Sequence, residues 1–174
     1  VKDTFQGIKY ALPKVDSKEA GKWWYHTERE GTTVNRAEYR DGVVTFDFDG
    51  INYYLYDIQL GLANDNSISA GWHKISFKLN SSFAASVTIC GTRVDLVEGS
   101  NNVSVAYNQV AGADSFAIFF AHAKTGFVSQ GKVVISDMKW EDWTPVTLKT
   151  PSFTLTNGNI EITDNENTEG VSVY

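Results

Sequence analysis

Apolar side chains in this chain return at every second position and never at the three-to-four spacing of a helix, which restricts it to sheets. The pattern is plainest in residues 54–82, YLYDIQLGLANDNSISAGWHKISFKLNSS. Tyr54, Tyr56, Ile58 and Leu60 share one parity while Tyr53, Asp57 and Gln59 share the other. A strand here has one apolar face and one face of rings and hydrogen-bonding groups. Further on, Ile75, Phe77 and Leu79 alternate with Lys74, Ser76, Lys78 and Asn80, giving a strand with one solvated face. Asn64, Asp65, Asn66 and Ser67, then Ala70-Gly71, are turn formers, so a loop joins the two strands. If the apolar parity of the first strand enters a core, Tyr53, Asp57 and Gln59 face away from it.

The alternation continues on both sides of this stretch. Trp23 and Tyr25 oppose Trp24 and His26, which sends at least one large ring out of the core. Asp41-Gly42 signals a hairpin, after which Val44, Phe46 and Phe48 alternate with Thr45, Asp47 and Asp49. Asp49-Gly50 reads as a second turn, and Asp47 and Asp49 as the wet side of a strand in preference to an acid-base pair. Ala85, Val87 and Ile89 then oppose Ser86, Thr88 and Cys90, with Cys90 read as a small core or strand residue. Residues 115–123, SFAIFFAHA, are apolar on both parities, as in a central strand covered on both sides or one whose second face meets a ligand. Many short strands broken at Gly, Asn and Asp predict an all-β jelly-roll sandwich of two antiparallel sheets. The sandwich is expected to occupy residues 1–145. Residues 146–174 read as a linker or appended hairpin, with Asn157-Gly158 as its turn.

Composition narrows the function classes. Five Trp, eight Tyr and ten Phe exceed what a core of a 174-residue chain needs, so some rings are expected at the surface, where they bind. A net charge of -6 without a Lys/Arg cluster argues against nucleic acid. Cys90 is the single cysteine, which excludes an intrachain disulfide and a cysteine-based zinc site. No apolar run is long enough to span a bilayer, so no membrane insertion is expected. A chain starting at Val1 without Met reads as an excised fragment, and no signal peptide is read in it.

Three segments carry a family likeness: Tyr56-Asp57-Ile58-Gln59-Leu60, residues 68–77 and Ile135-Ser136-Asp137. With the glycine-spaced strands between them, they resemble carbohydrate-binding modules of families four, nine, sixteen and twenty-two. There a Trp-x-Val-Gln-Leu-like strand precedes a Leu-x-x-Gly-x-x-Tyr-x-x-Ser-Phe-like one, and an Ile-Asp-Asp-like strand closes the module. This chain departs in having Tyr56 for the usual Trp, Trp72-His73 after the turn glycine and Ser136 in the first Asp position. The resemblance implies a concave sheet that holds one β-linked plant polysaccharide chain without hydrolysing it. Xylan is the favoured ligand and β-glucan the next. It also implies a covalently linked catalytic domain and a secreted or cell-surface bacterial parent. A structural Ca2+ held through Asp137, with Asp3 or Asp16 adding oxygens, is a further implication.

Elementary chemistry agrees with a sugar ligand. A pyranose shows C–H groups on its faces and hydroxyls at its edge, so it needs flat rings and bidentate polar groups. The expected ligand-binding residues are Trp24, Tyr53, Asp57, Gln59, Thr88, Phe120 and His122, with Trp24 and Phe120 as platforms. Arg93, Trp72 and Phe127 stand behind them. No catalytic residue is assigned, because the chain has no buried carboxylate pair, no histidine cluster and no nucleophile motif. A jelly-roll glycan lyase or hydrolase, and a protein-interaction or adhesion sandwich, are the alternatives.

Overall fold

In the computed structural model, residues 7–27, 31–52, 58–123, 128–146 and 152–163 are described. Their strands are β1 (Lys9–Ala11), β2 (Trp23–His26), β3 (Thr33–Arg40), β4 (Val43–Asn52), β5 (Gln59–Leu62), β6 (Gly71–Ser81) and β7 (Ala85–Ile89), then β8 (Thr92–Leu96), β9 (Gly99–Gln109), β10 (Phe116–Ala123), β11 (Val128–Asp142), β12 (Ser152–Thr156) and β13 (Asn159–Thr163). A single 3₁₀ turn, Val15–Ser17, lies between β1 and β2.

Turn chemistry sets much of the register. Arg40 pairs with Val43 across Asp41-Gly42, whose φ values of 48° and 83° are those of the mirror-image turn that matches strand twist. Thr156 pairs with Asn159 across Asn157-Gly158 in the same way, with φ values of 52° and 79°. A third turn of this kind joins Ile89 to Thr92 through Cys90 and Gly91. Cys90 is therefore a turn residue with φ 47° and not a strand residue as expected. Asp49-Gly50, by contrast, is no turn. β4 runs through it, and Asp49 pairs with Gln130 on one side and Thr33 on the other. Glycine serves close approach there, since a Cβ at position 50 would stand 3.0 Å from Gly31 O and Thr32 Cα.

The strands form an antiparallel sandwich. Sheet one has the order β1-β3-β4-β11-β6-β9 and sheet two the order β2-β5-β10-β7-β8. Each strand turns one parity inward. Val44, Phe46 and Phe48 from β4 and Ile75, Phe77 and Leu79 from β6 meet Leu60, Val87, Ile89, Phe116, Ile118 and Phe120 from sheet two, all buried. Rings connect the layers: Trp23 and Phe77 both lie against Phe116, with centroids 5.2 and 5.3 Å away, and Phe83 links Phe48 to Phe120. Lys78 and Asn80, on the opposite parity of β6, are exposed, as their alternation implies. The chain divides at residue 143: residues 1–143 form one compact unit and residues 144–174, with the β12–β13 hairpin, another.

Candidate functional site

Sheet two has a face that the core does not use. Gln59 lies between buried Ile58 and Leu60, and Thr88 between buried Val87 and Ile89, so both side chains leave the sandwich. Strand register then places partners beside them. His26 is opposite Gln59, Gln59 opposite Phe119, Phe119 opposite Thr88 and Thr88 opposite Arg93. The result is one row across all the strands of sheet two. At a strand spacing of about 4.8 Å, this row spans roughly 19 Å. It carries an imidazole, an amide, a half-buried phenyl ring, a hydroxyl and an exposed guanidinium.

A second row runs Trp24, Gly61, Ala117. Here Trp24 covers Gly61, and a Cβ at position 61 would fall 2.2 Å from the indole Cζ2. Trp24 does point away from the core, as its parity requires, but it is only 4% exposed. It is therefore not an open platform. Its Nε1 is buried without a hydrogen-bond partner among the described residues, an arrangement that costs about 1 to 3 kcal/mol. Beyond the first row, Ser86 Oγ donates to Asp95 Oδ1 at 2.8 Å and accepts from Arg93 Nη2 at 3.3 Å. These contacts fix Arg93 over β7.

Phe120 must be corrected. It is fully buried and rests on Phe83, while Phe119 takes the outward position between Gln59 and Thr88. Because β10 is apolar on both parities, alternation alone could not say which phenylalanine turns inward. A register shift between Phe120 and His122 added to the error, since it breaks the parity that the two residues share by number. His122 stands opposite Ser86 in that register. The side chain of His122 lies outside the described residues, as do Tyr53, Asp57, Phe127 and Asp3 entirely.

Sequence reasoning missed His26, Ser86, Asp95 and Phe119. The signal for His26 was present, because it has the parity of Trp24. Ser86 and Asp95 could be found only from the pairing of β7 with β8. Trp72 is not gathered into this face. It is the second residue of β6 in sheet one, is 42% exposed and lies 5.4 Å from the Trp143 ring.

Asp137 sits in a bulge of β11, between Ser136 and Lys139, with φ 55°. Its carboxylate lies 3.3 Å from Lys78 Nζ. Among the described residues, no three His, Cys, Asp or Glu side chains come together as a cation would require. The second contributor expected for a calcium ion, Asp3, lies outside the described residues. Asp47 and Asp49 line a shallow surface cleft of sheet one with Asn35, Gln130 and Lys132; both are half-buried, and Asp47 Oδ1 is buried without a hydrogen-bond partner among the described residues.

No protein-family model matches the chain, and no curated protein matches its sequence. Solved structures are similar at low identity. A structure described as CBM4 has a TM-score of 0.45 and 15% identity, over 74% of this chain and 92% of that one. The N-terminal cellulose-binding domain of Cellulomonas fimi β-1,4-glucanase C has a TM-score of 0.39 and 10% identity, over 75% of this chain and 100% of that one. A family 29 carbohydrate-binding module complexed with cellulohexaose has a TM-score of 0.36 and 12% identity, over 77% of this chain and 90% of that one.

Proposed function

We propose that the chain is a non-catalytic carbohydrate-binding module whose ligand lies along the outer face of sheet two. The observation that carries this reading is the row His26, Gln59, Phe119, Thr88, Arg93. It crosses the strands as an extended chain would, and it alternates a ring with groups that donate and accept hydrogen bonds. A polysaccharide asks for both along its length: apolar faces to rest on rings, and hydroxyls to be held at the edge. Gln59 can hold two neighbouring hydroxyls through its amide, Thr88 can hold one, and Arg93 supplies donors only. Phe119 is the platform.

The ligand class we favour is a β-1,4-linked plant polysaccharide, xylan before β-glucan. In a secreted parent protein, such a module would raise the local concentration of an attached hydrolase on its substrate. Affinity electrophoresis of the whole chain in gels containing xylan, β-glucan or mannan tests the proposal. Retardation without new reducing ends supports it. New reducing ends would identify an enzyme instead, and neither effect in any gel would leave a protein-interaction sandwich.

A further inference from the structure

A cleft of about 460 Å3 opens on the flank where edge strands β1 and β2 lie, away from the row on sheet two. That volume is within the range of small-molecule sites, roughly 300–1,000 Å3. Trp23, Leu62 and Ile135 contribute to its lining and belong to, or pack on, the core, so core side chains form its floor. One wall is a stacked pair: Tyr10 and Tyr39 have centroids 5.0 Å apart and planes only 20° from parallel. The Tyr10 hydroxyl accepts a hydrogen bond from Trp23 N at 2.9 Å, which ties this wall to sheet two. Trp140 also lines the cleft, and its Nε1 donates to Tyr107 Oη at 3.1 Å. Asp41, Ser136 and Asp137 bring oxygens to the same cleft.

Two of these oxygen bearers sit on backbone that L-residues rarely adopt. Asp41 has φ 48° in the hairpin turn and Asp137 has φ 55° in the β11 bulge. Bulges at such places aim side chains that a regular strand would direct elsewhere. Lys78 Nζ lies 3.3 Å from Asp137, and Lys22 Nζ lies 5.4 Å from the Tyr10 centroid. A carboxylate that already has an ammonium partner, as Asp137 has in Lys78, suits a neutral polyol better than a metal ion.

We propose that this flank cleft is a second saccharide site, one that takes a terminal pyranose or a free disaccharide. A cleft of this size, floored by core side chains, suits a ligand of one or two rings, whereas the row on sheet two crosses five strands. The Tyr39 ring, backed by Tyr10, and Trp140 receive the C–H face of the sugar, and Asp41, Ser136 and Asp137 hold its hydroxyls. This inference rests on the glycan-binding reading of the chain but not on the outer face of sheet two.

The chain's tryptophans allow the two sites to be read separately. Trp140 lines the flank cleft, Trp24 stands beside the row, and Trp72 with Trp143 belongs to neither. Indole N–H resonances of the whole chain are followed by NMR during titration with cellobiose, xylobiose and the long polysaccharides. The inference expects a saturable shift of Trp140 with a disaccharide, while Trp72 and Trp143 stay fixed. Tyr39→Ala is expected to weaken that response at least tenfold while leaving the Trp24 response to long chains intact. Should Tyr39→Ala fail to fold, Asp137→Asn, a surface change on φ that Asn tolerates, is expected to weaken it severalfold. If Trp24 responds and Trp140 does not, the flank site is overturned and the row survives. If no indole responds to any glycan, both readings fall.

Discussion

Phe119 and Phe120 are neighbours in sequence with opposite environments: one half-buried on the outer face of sheet two, the other fully buried against Phe83. Phe120→Ala is expected to cost about 3 to 5 kcal/mol of stability through transfer and cavity terms, and Phe119→Ala much less. Urea unfolding of both variants checks this, and equal losses would show that the parity of β10 is wrong. The parity of Gln59 and Thr88 was legible because polar residues alternate there with Ile58, Leu60, Val87 and Ile89. Phe119 was not legible, because nothing polar marks a face in SFAIFF. Gly61 makes a second case. A Cβ there would meet the Trp24 ring at 2.2 Å, so Gly61→Ala must displace the indole. Overpacking of this kind costs about 1 to 3 kcal/mol, and a shift of tryptophan emission should accompany it. An unchanged spectrum with full stability would mean that Trp24 does not rest on Gly61. Burial also pushes the Cys90 thiol up, which keeps it protonated. The sign is unambiguous: at pH 8 its reaction with a disulfide reagent should be slower than that of a free cysteine, and urea should restore the rate.

At the scale of elements, the turns were readable where turn chemistry alone decides and unreadable where tertiary contact decides. Asp41-Gly42 and Asn157-Gly158 form the two-residue turns their sequences specify, because both central residues need positive φ and Asp, Asn and Gly supply it cheaply. Asp49-Gly50 has the same letters, yet it continues a strand, because its glycine admits the backbone of Gly31 and Thr32. Cys90-Gly91 does the reverse, forming the turn with a residue that does not announce it. Cys90→Asn is accordingly expected to keep the fold and raise the unfolding free energy slightly, by a few tenths of a kcal/mol at most, read as a small rise in the urea midpoint. A clear loss of stability would show that the half-buried thiol contributes more through packing than the turn preference returns. Bulges were the other blind spot. The shifts at Phe120/His122 and Ser136/Lys139 redirect residues on both candidate sites, and no local sequence signal marks either.

The molecule as a whole separates its tasks by surface. Facing parities of the two sheets supply stability, the outer face of sheet two offers an extended row, and the β1–β2 flank offers a cleft. The unit of residues 1–143 contains all three. A chain ending at residue 143 is therefore expected to unfold cooperatively and to keep the glycan retention of the full chain, which electrophoresis and thermal denaturation can establish together. Period two made the sandwich legible, since inward and outward residues alternate along nearly every strand. Which strands share a sheet was not legible, because that depends on pairings such as β11 with both β4 and β6 across long sequence separations. The most direct measurement is calorimetric titration of a retained long-chain polysaccharide into the wild-type chain, Gln59→Ala and Phe119→Ala. Each variant should remain folded and lose about 1 to 3 kcal/mol of binding free energy. Wild-type affinity in both folded variants would contradict the assignment of the glycan to this face.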